Sequence, residues 1–254
     1  MHRRFYSLSL VLLVATVAYP QGDISYPREE LFGGGIGYAP TFLLLKPAEI
    51  FPFNVGDDAT NTDLLGTSGL NFDDLSALGT MMVLHGAEGF GNITGNWRIG
   101  AYVGLGGNSI TRVDSATEAT VDLKVTLMTG NASVEYVMPL FSNLELSAGS
   151  LLGFSRGIIQ FTRVESTPDW EGQFNQSDTL NSTVALSGTF FSFQPYVAIK
   201  LQFLDRAGLR MSAGYQIGSL AANDWKLNDS QRIIAPSETK LNALAIRVML
   251  YIGI

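Results

Sequence analysis

Residues 191–218, FSFQPYVAIKLQFLDRAGLRMSAGYQIG, alternate between two kinds of side chain on either side of a short break. Before the break, Phe191, Phe193, Pro195, Val197, Ile199, Leu201 and Phe203 share one parity, against Ser192, Gln194, Tyr196, Ala198, Lys200 and Gln202. After it, Leu209, Met211, Ala213, Tyr215 and Ile217 oppose Arg210, Ser212, Gly214, Gln216 and Gly218. Successive side chains of a strand point to opposite faces, so each run reads as a strand with one apolar face. Asp205 to Ala207 reads as the turn between them. The second face decides the surroundings. On a soluble sheet it meets water and is rich in Lys, Glu and Asp. Here it is mostly Gly, Ser, Ala, Gln and Tyr with isolated charges, which suits the packed lumen of a narrow closed barrel. The apolar face is then left to lipid, where the backbone must pair internally and a closed sheet achieves this.

The same pattern extends outward in both directions. In WRIGAYVGLGG (97–107), Trp97, Ile99, Ala101, Val103 and Leu105 oppose Arg98, Gly100, Tyr102, Gly104 and Gly106. In LNALAIRVMLYIGI (241–254), Leu244, Ile246, Val248, Leu250, Ile252 and Ile254 form one stripe. Eight strands are expected, at 31–44, 79–93, 97–113, 119–138, 144–163, 183–204, 208–220 and 240–254. Short links at Thr94 to Asn96, Pro139 to Asn143 and Asp205 to Ala207 alternate with outer connections at 45–78, 114–118, 164–182 and 221–239, of which 114–118 is short for an outer loop but falls at the right place in the order. That is the rhythm of an up-and-down transmembrane barrel with short inner turns and longer outer loops. Two stretches depart from it. In 119–138 the apolar parity changes between Leu127 and Ala132, which calls for a bulge near Thr129 to Asn131 or for a first half standing above the membrane. In MMVLHGAEGFGNI (81–93) glycines blur the faces.

The N-terminal MHRRFYSLSLVLLVATVAYPQG has a basic start at His2, Arg3 and Arg4, an apolar run from Leu8 to Val17, and small residues at Thr16 and Ala18. That order is a secretory signal peptide, and the run is shorter than the roughly 20 residues of a spanning helix. Residues 1–22 are therefore expected to be the leader and 23–254 the barrel domain. Losing Arg3 and Arg4 takes the formal charge from −7 to −9. An acidic chain repels phosphate backbones, which disfavours nucleic acid as a partner. With no Cys there is no disulfide, thiol chemistry or lipid anchor on sulfur.

As a whole the chain resembles small, about eight-stranded bacterial outer-membrane β-barrel proteins, over residues 31 to 254. The glycine-rich HGAEGFGNITGNWRIGAYVG (85–104) is similar to segments of such barrels. The resemblance implies an outer-membrane location, surrounding lipid and the barrel-assembly machinery as partners, and no cofactor. Such chains usually end in an aromatic residue; this one ends in Ile254, with Tyr251 nearby.

Charges on the non-apolar faces collect near the short turns. Arg98 follows the first, Glu135 and Glu145 flank the second, Lys200 and Arg210 flank the third, and Arg247 lies near the C-terminus. Glu88, if inward, precedes the first turn. Buried charges must be paired, so a structural ionic plug in the periplasmic half of the lumen is expected. A gated polar path is the sharper alternative. Trp97, Tyr136 and Phe203 share the apolar face beside those turns, as an interfacial aromatic belt would.

Catalytic and metal sites are not expected. His85 is the sole histidine after the leader, and Val83 and Ala87 are its same-face neighbours, so no serine hydrolase triad assembles around it; it reads as an ordinary lumen or interface residue. Glu49, Asp57, Asp58, Asp63, Asp73 and Asp74 crowd one long loop without calcium-loop spacing. Within it NFDDLSALG (71–79) reads as a short helix capped by Asn71 and stopped at Gly79. Gly33 to Gly37 lies in a strand with no helix behind it, which argues against a nucleotide loop. The leading expectation is a non-enzymatic barrel with a structural or surface-interaction role. A small-solute or ion pore, a lipid-modifying enzyme and an exported soluble ligand-binding barrel are the competing readings.

Overall fold

A strand in lipid satisfies its backbone only by pairing on both edges, and the wall strands of this chain do so by closing into a ring. The computed structural model describes residues 34–45, 79–113, 119–164, 181–234 and 238–253. The wall begins with β1 (Gly34–Tyr38), continued by β2 (Thr41–Leu44). It runs on through β3 (Met81–Thr94), β4 (Trp97–Val113), β5 (Thr120–Phe141), β6 (Leu144–Val164), β7 (Asn181–Leu204) and β8 (Ala207–Leu220). Three short strands follow, β9 (Trp225–Leu227), β10 (Gln231–Ile233) and β11 (Thr239–Lys240), and β12 (Ala243–Gly253) completes the wall. β12 pairs antiparallel with β8 on one edge, from Ala243↔Gln216 to Ile252↔Ala207. On the other it meets β1 and β2, as at Tyr38↔Leu250 and Thr41↔Arg247. The barrel is thus closed with eight wall positions, β1 and β2 being one strand interrupted at Ala39 and Pro40. Pro40 has no N–H to donate. Pairing bridges the gap through Ala39 N–H to Gly86 O at 2.8 Å and Val248 N–H to Pro40 O at 3.1 Å.

The expected strands lie where the alternation placed them, within a few residues. The start of the first, 31–33, and the final Ile254 lie outside the described residues, as do the leader, the acidic loop and all but Gly79 of the expected helix. The last strand begins at Ala243 rather than 240, because Thr239 and Lys240 pair with Leu220 and Ser219 of β8 instead.

The glycine-rich inner face has a steric cause. Ring side chains lie flat against the inner wall and occupy the space a Cβ would need. At Gly86 an added Cβ would sit 2.7 Å from Tyr102 Cε2, and at Gly35 it would sit 2.9 Å from Tyr251 Cδ2. The narrow lumen is therefore filled by aromatic rings over bare backbone.

The parity change in β5 has no bulge behind it. Registers with β4 run unbroken from Trp97↔Tyr136 to Val113↔Thr120. Those with β6 break only beside the turn, between Pro139 and Phe141. Odd residues face inward along the whole strand. Near the turn they are polar, Asn131, Ser133 and Glu135, and the outward Val134, Tyr136, Met138 and Leu140 are exposed. Further up they are apolar, Val121, Leu123, Val125 and Leu127, and the outward side carries Asp122, Lys124 and Thr126. The surroundings, not the register, invert. β5, β6 and β7 have 22, 21 and 24 residues. A tilted strand needs about 9–11 to cross a bilayer. The excess forms a second storey beyond the apolar belt, polar outside and apolar inside.

Two additions complete that storey. β9 pairs with β7 at Leu186↔Leu227 and Ser187↔Lys226, above the last β7 to β8 pair at Ser192↔Gly218. It carries Trp225 inward to pack with Leu127, Phe190, Leu220 and Leu241. Asp229, in the β9 to β10 turn, accepts hydrogen bonds from Ser187 Oγ and Arg156 Nη2, each at 2.5 Å.

Candidate functional site

The lower storey is polar inside because its inward positions are the second faces of the alternating strands. Each wall strand contributes at least one polar side chain there. Lys200 Nζ of β7 lies 3.2 Å from Glu145 Oε1 of β6. Glu145 Oε2 takes Arg98 Nη2 of β4 at 2.8 Å. Arg98 Nη1 is 3.4 Å from Glu135 Oε1 of β5. Glu135 Oε2 takes Arg210 Nη2 of β8 at 2.6 Å. Arg210 also pairs with Glu88 of β3, whose other oxygen is 3.2 Å from Arg247 Nη1 of β12. Arg247 Nε then donates to Thr41 Oγ1 of β2 at 3.0 Å. Seven side chains alternate in sign, + − + − + − +, and touch every wall strand of the ring.

These groups are buried: Glu135 and Arg98 are 1% exposed, Arg210 and Arg247 2%, and Glu88 3%. Removing such charges from water is costly, and the cost is offset only where each lone pair and each N–H finds a partner. Here most do. Ser147 Oγ donates to Glu135 Oε2 at 2.8 Å, and Tyr196 Oη to the same oxygen at 3.3 Å. Arg98 Nε donates to Asn92 Oδ1 at 2.9 Å. Aromatic faces take up the guanidinium planes, Arg247 over Tyr102 at 4.0 Å and Arg98 over Phe90 at 4.7 Å. Lys200 lies 5.4 Å from the Tyr251 ring centre.

Above the ionic layer lies a seam of Asn131, Ser155, Gln194 and Gln216, around a space of about 10 Å³. That is the lower limit for one water molecule.

All seven charged residues picked out from the sequence lie inside, and the structure brings them together. Trp97, Tyr136 and Phe203 point outward and are exposed beside the short turns, with Trp97 and Tyr136 packed edge to face at 5.5 Å. His85 is not in the lumen. It lies on the outward face, where its Nδ1 and Tyr38 Oη are 2.6 Å apart. The parity of β3 puts Glu88 in and His85 out. Among the described residues no group of three His, Cys, Asp or Glu side chains is arranged to hold a metal ion.

An apolar belt outside, a polar interior at the same height, two-residue turns at one end and longer connections at the other leave one architecture. The chain is built as a small outer-membrane β-barrel. No protein-family model matches it, and no curated protein does. Solved barrels align over most of its length at low identity. Ail, the attachment invasion locus protein of Yersinia pestis, is 11% identical, with 87% of this chain and 97% of that one covered and a TM-score of 0.36. OprG from Pseudomonas aeruginosa is 9% identical, covering 88% and 96%, at 0.39. A major outer membrane protein from Thermus thermophilus is 8% identical, covering 86% and 98%, at 0.40. At that level the architecture of this barrel rests on its own strand pairing.

Sequence reasoning did not single out Tyr102, Tyr196, Ser147, Asn92 or Thr41 as partners of the charges. Tyr102 and Tyr196 sat on the correct face of recognised strands. What was missing was the stagger between strands, which sets who meets whom across the lumen.

Proposed function

We propose that this is a non-enzymatic outer-membrane barrel whose lumen is closed by the ionic layer, so that its service to the cell lies in envelope structure and in what its outer storey presents. The observation that carries this reading is the unbroken alternation of seven charges from Lys200 to Arg247. A pore lined by one sign of charge, or by charges facing water, would present groups to a passing ion. Here each carboxylate is already held by two cations, and the polar seam above encloses a space of only about 10 Å³, which supports a closed lumen. The outward placement of His85 supports the absence of a hydrolase centre in the lumen. The outer-membrane lipid would contact the exposed belt, with Trp97, Tyr136 and Phe203 at its lower interface, and the barrel-assembly machinery would insert the chain.

Planar-bilayer recording on the purified barrel tests this. Wild type is expected to be silent at 100 mV in 1 M KCl. Glu135→Ala, which opens space and strands Arg98 and Arg210, is expected to give intermittent openings. Steady unitary conductance from wild type would transfer the assignment to the pore reading.

A further inference from the structure

The lipid face of the wall is not evenly convex. Outward positions of β3, β4 and β5 fall in register as Ala87, Val103 and Gly130, between Tyr38 on β1 and Phe154 on β6. The two rings stand proud of these smaller residues, and the groove between them holds about 820 Å³. Four inter-strand spacings separate the rings, roughly 19 Å along the wall, which admits more than one acyl chain abreast. The wall does not require Gly130 to be bare. An added Cβ there would meet no atom within 4 Å, whereas inward Gly86 is crowded by backbone and by the Tyr102 ring. The end of the groove nearer the second storey is cationic. Arg156, outward on β6 and opposite Met128, lines it, with Thr189 beside it on β7. Arg156 Nη2 donates to Asp229, which brings the β9 to β10 hairpin to this rim. Lys226 and Arg232 are exposed and directly opposite one another across that hairpin. Like charges so placed are destabilising unless an anion offsets them.

We infer that this groove is a docking site for one anionic, phosphate-bearing lipid of the adjoining leaflet. Its acyl chains lie over Ala87, Val103 and Gly130, and its phosphate is held at Arg156 beside Lys226 and Arg232. The groove lies on the face that the bilayer covers, where no water is present to fill it, so its occupant is lipid. The rim decides which lipid. A guanidinium carries five N–H donors, so Arg156 keeps others after the one given to Asp229. Its planar fork matches phosphate through paired N–H groups. A neutral headgroup would leave the opposed Lys226 and Arg232 as they are, whereas a phosphate beside them offsets their repulsion. Free phosphate would meet the same rim and leave the groove below it without a purpose. The site is on the outside of the barrel, so it does not depend on the lumen being sealed.

The probe is dioleoyl phosphatidic acid, titrated into the whole barrel in neutral detergent. Dioleoyl phosphatidylcholine carries the same chains under a zwitterionic headgroup. Retained lipid is counted by native mass spectrometry. The ring of His85, which lines the groove beside Tyr38, is followed by NMR and assigned with His85→Gln. The expected result is one retained phosphatidic acid per barrel and a saturable shift of the His85 ring. Phosphatidylcholine should bind about tenfold more weakly, the worth of one charge-assisted hydrogen bond. Arg156→Gln should remove that preference and leave phosphatidylcholine unchanged. Lys226→Gln should weaken phosphatidic acid alone, by about threefold. Gly130→Phe should fill the groove and weaken both lipids; should that variant not fold, the two charge variants carry the test. Inorganic phosphate should neither shift His85 nor displace the lipid. Equal retention of the two lipids, or a preference that survives Arg156→Gln, would overturn the proposal. So would a ladder of bound lipids with no saturating first site, full binding to folded Gly130→Phe, or inorganic phosphate acting as well as phosphatidic acid.

Discussion

Glu135 concentrates the logic of the lumen in one side chain. It receives Arg98 and Arg210 on separate oxygens, and Ser147 and Tyr196 on one of them. Replacing the whole ionic layer with fitted apolar residues need not destabilise a protein, because the desolvation cost goes with it. Removing one member does, because its partners stay buried. Glu135→Gln keeps the shape and loses the charge, so it is expected to destabilise the barrel by about 3–5 kcal/mol. The measurement is the urea midpoint for unfolding from vesicles; a change under about 1 kcal/mol, the range of exposed ion pairs, would mean that Arg98 and Arg210 reach water. Asp229 shows the opposite limit. It is fully exposed, and the hydrogen bond from Ser187, then that from Arg156, hold its carboxyl below the ordinary value of 3.8. A depressed carboxyl contributes above its ordinary value and ceases to as pH falls through the folded one. Protection of the 225–233 amides, taken relative to intrinsic exchange at each pH, is therefore expected to fall only below about pH 4. Asp229→Asn should remove that dependence; a transition nearer neutrality would point to another group.

At the scale of the strand, β5 teaches what alternation can and cannot decide. Its period of two was plain in the sequence, and so was the change of parity after Leu127. A bulge and a change of surroundings leave the same trace in one strand, since each exchanges which parity is apolar. Only the neighbours separate them, and the registers with β4 and β6 run straight through. The same ambiguity left the outer storey as one of two readings, the first half of the strand standing above the membrane, beside the bulge. Its interior, Val121, Leu123, Val125 and Leu127, reads as a lipid face until the strand is given a height. The face of His85 was open for a related reason: the glycines around it carry no parity signal. The inverted surroundings make a sharp expectation on a single face. Val134 and Thr126 both point outward from β5, eight positions apart. Val134→Arg puts a cation in the lipid belt and is expected to cost about 2–4 kcal/mol if near the bilayer middle, with slowed assembly. Thr126→Arg lies above the belt and should be nearly neutral. Equal effects on the heat-stable gel mobility of the folded barrel would remove the two-storey description.

For the whole molecule, orientation follows from the inequality of the two ends. Three two-residue turns, at Gly95 and Asn96, Ser142 and Asn143, and Asp205 and Arg206, close one end. At the other end β5, β6 and β7 rise past the belt and receive the β9 to β10 hairpin. The hairpin end carries exposed Asp229 and the outward Lys124 and Asp122. Outer-membrane barrels have short periplasmic turns and longer extracellular loops. The short turns should therefore face the periplasm and the second storey the exterior. Absence of cysteine makes this directly measurable, since one introduced thiol is the only reactive one. Ser230→Cys lies in the exposed β9 to β10 turn, and Asn96→Cys and Asn143→Cys lie in short turns. On intact cells a membrane-impermeant maleimide should modify the cysteine at 230 and leave those at 96 and 143 unlabelled until the envelope is opened. Labelling at 96 and 143 alone would invert the barrel. The charge layer would then sit at the outer face, and the second storey would stand in the periplasm instead of the surroundings of the cell.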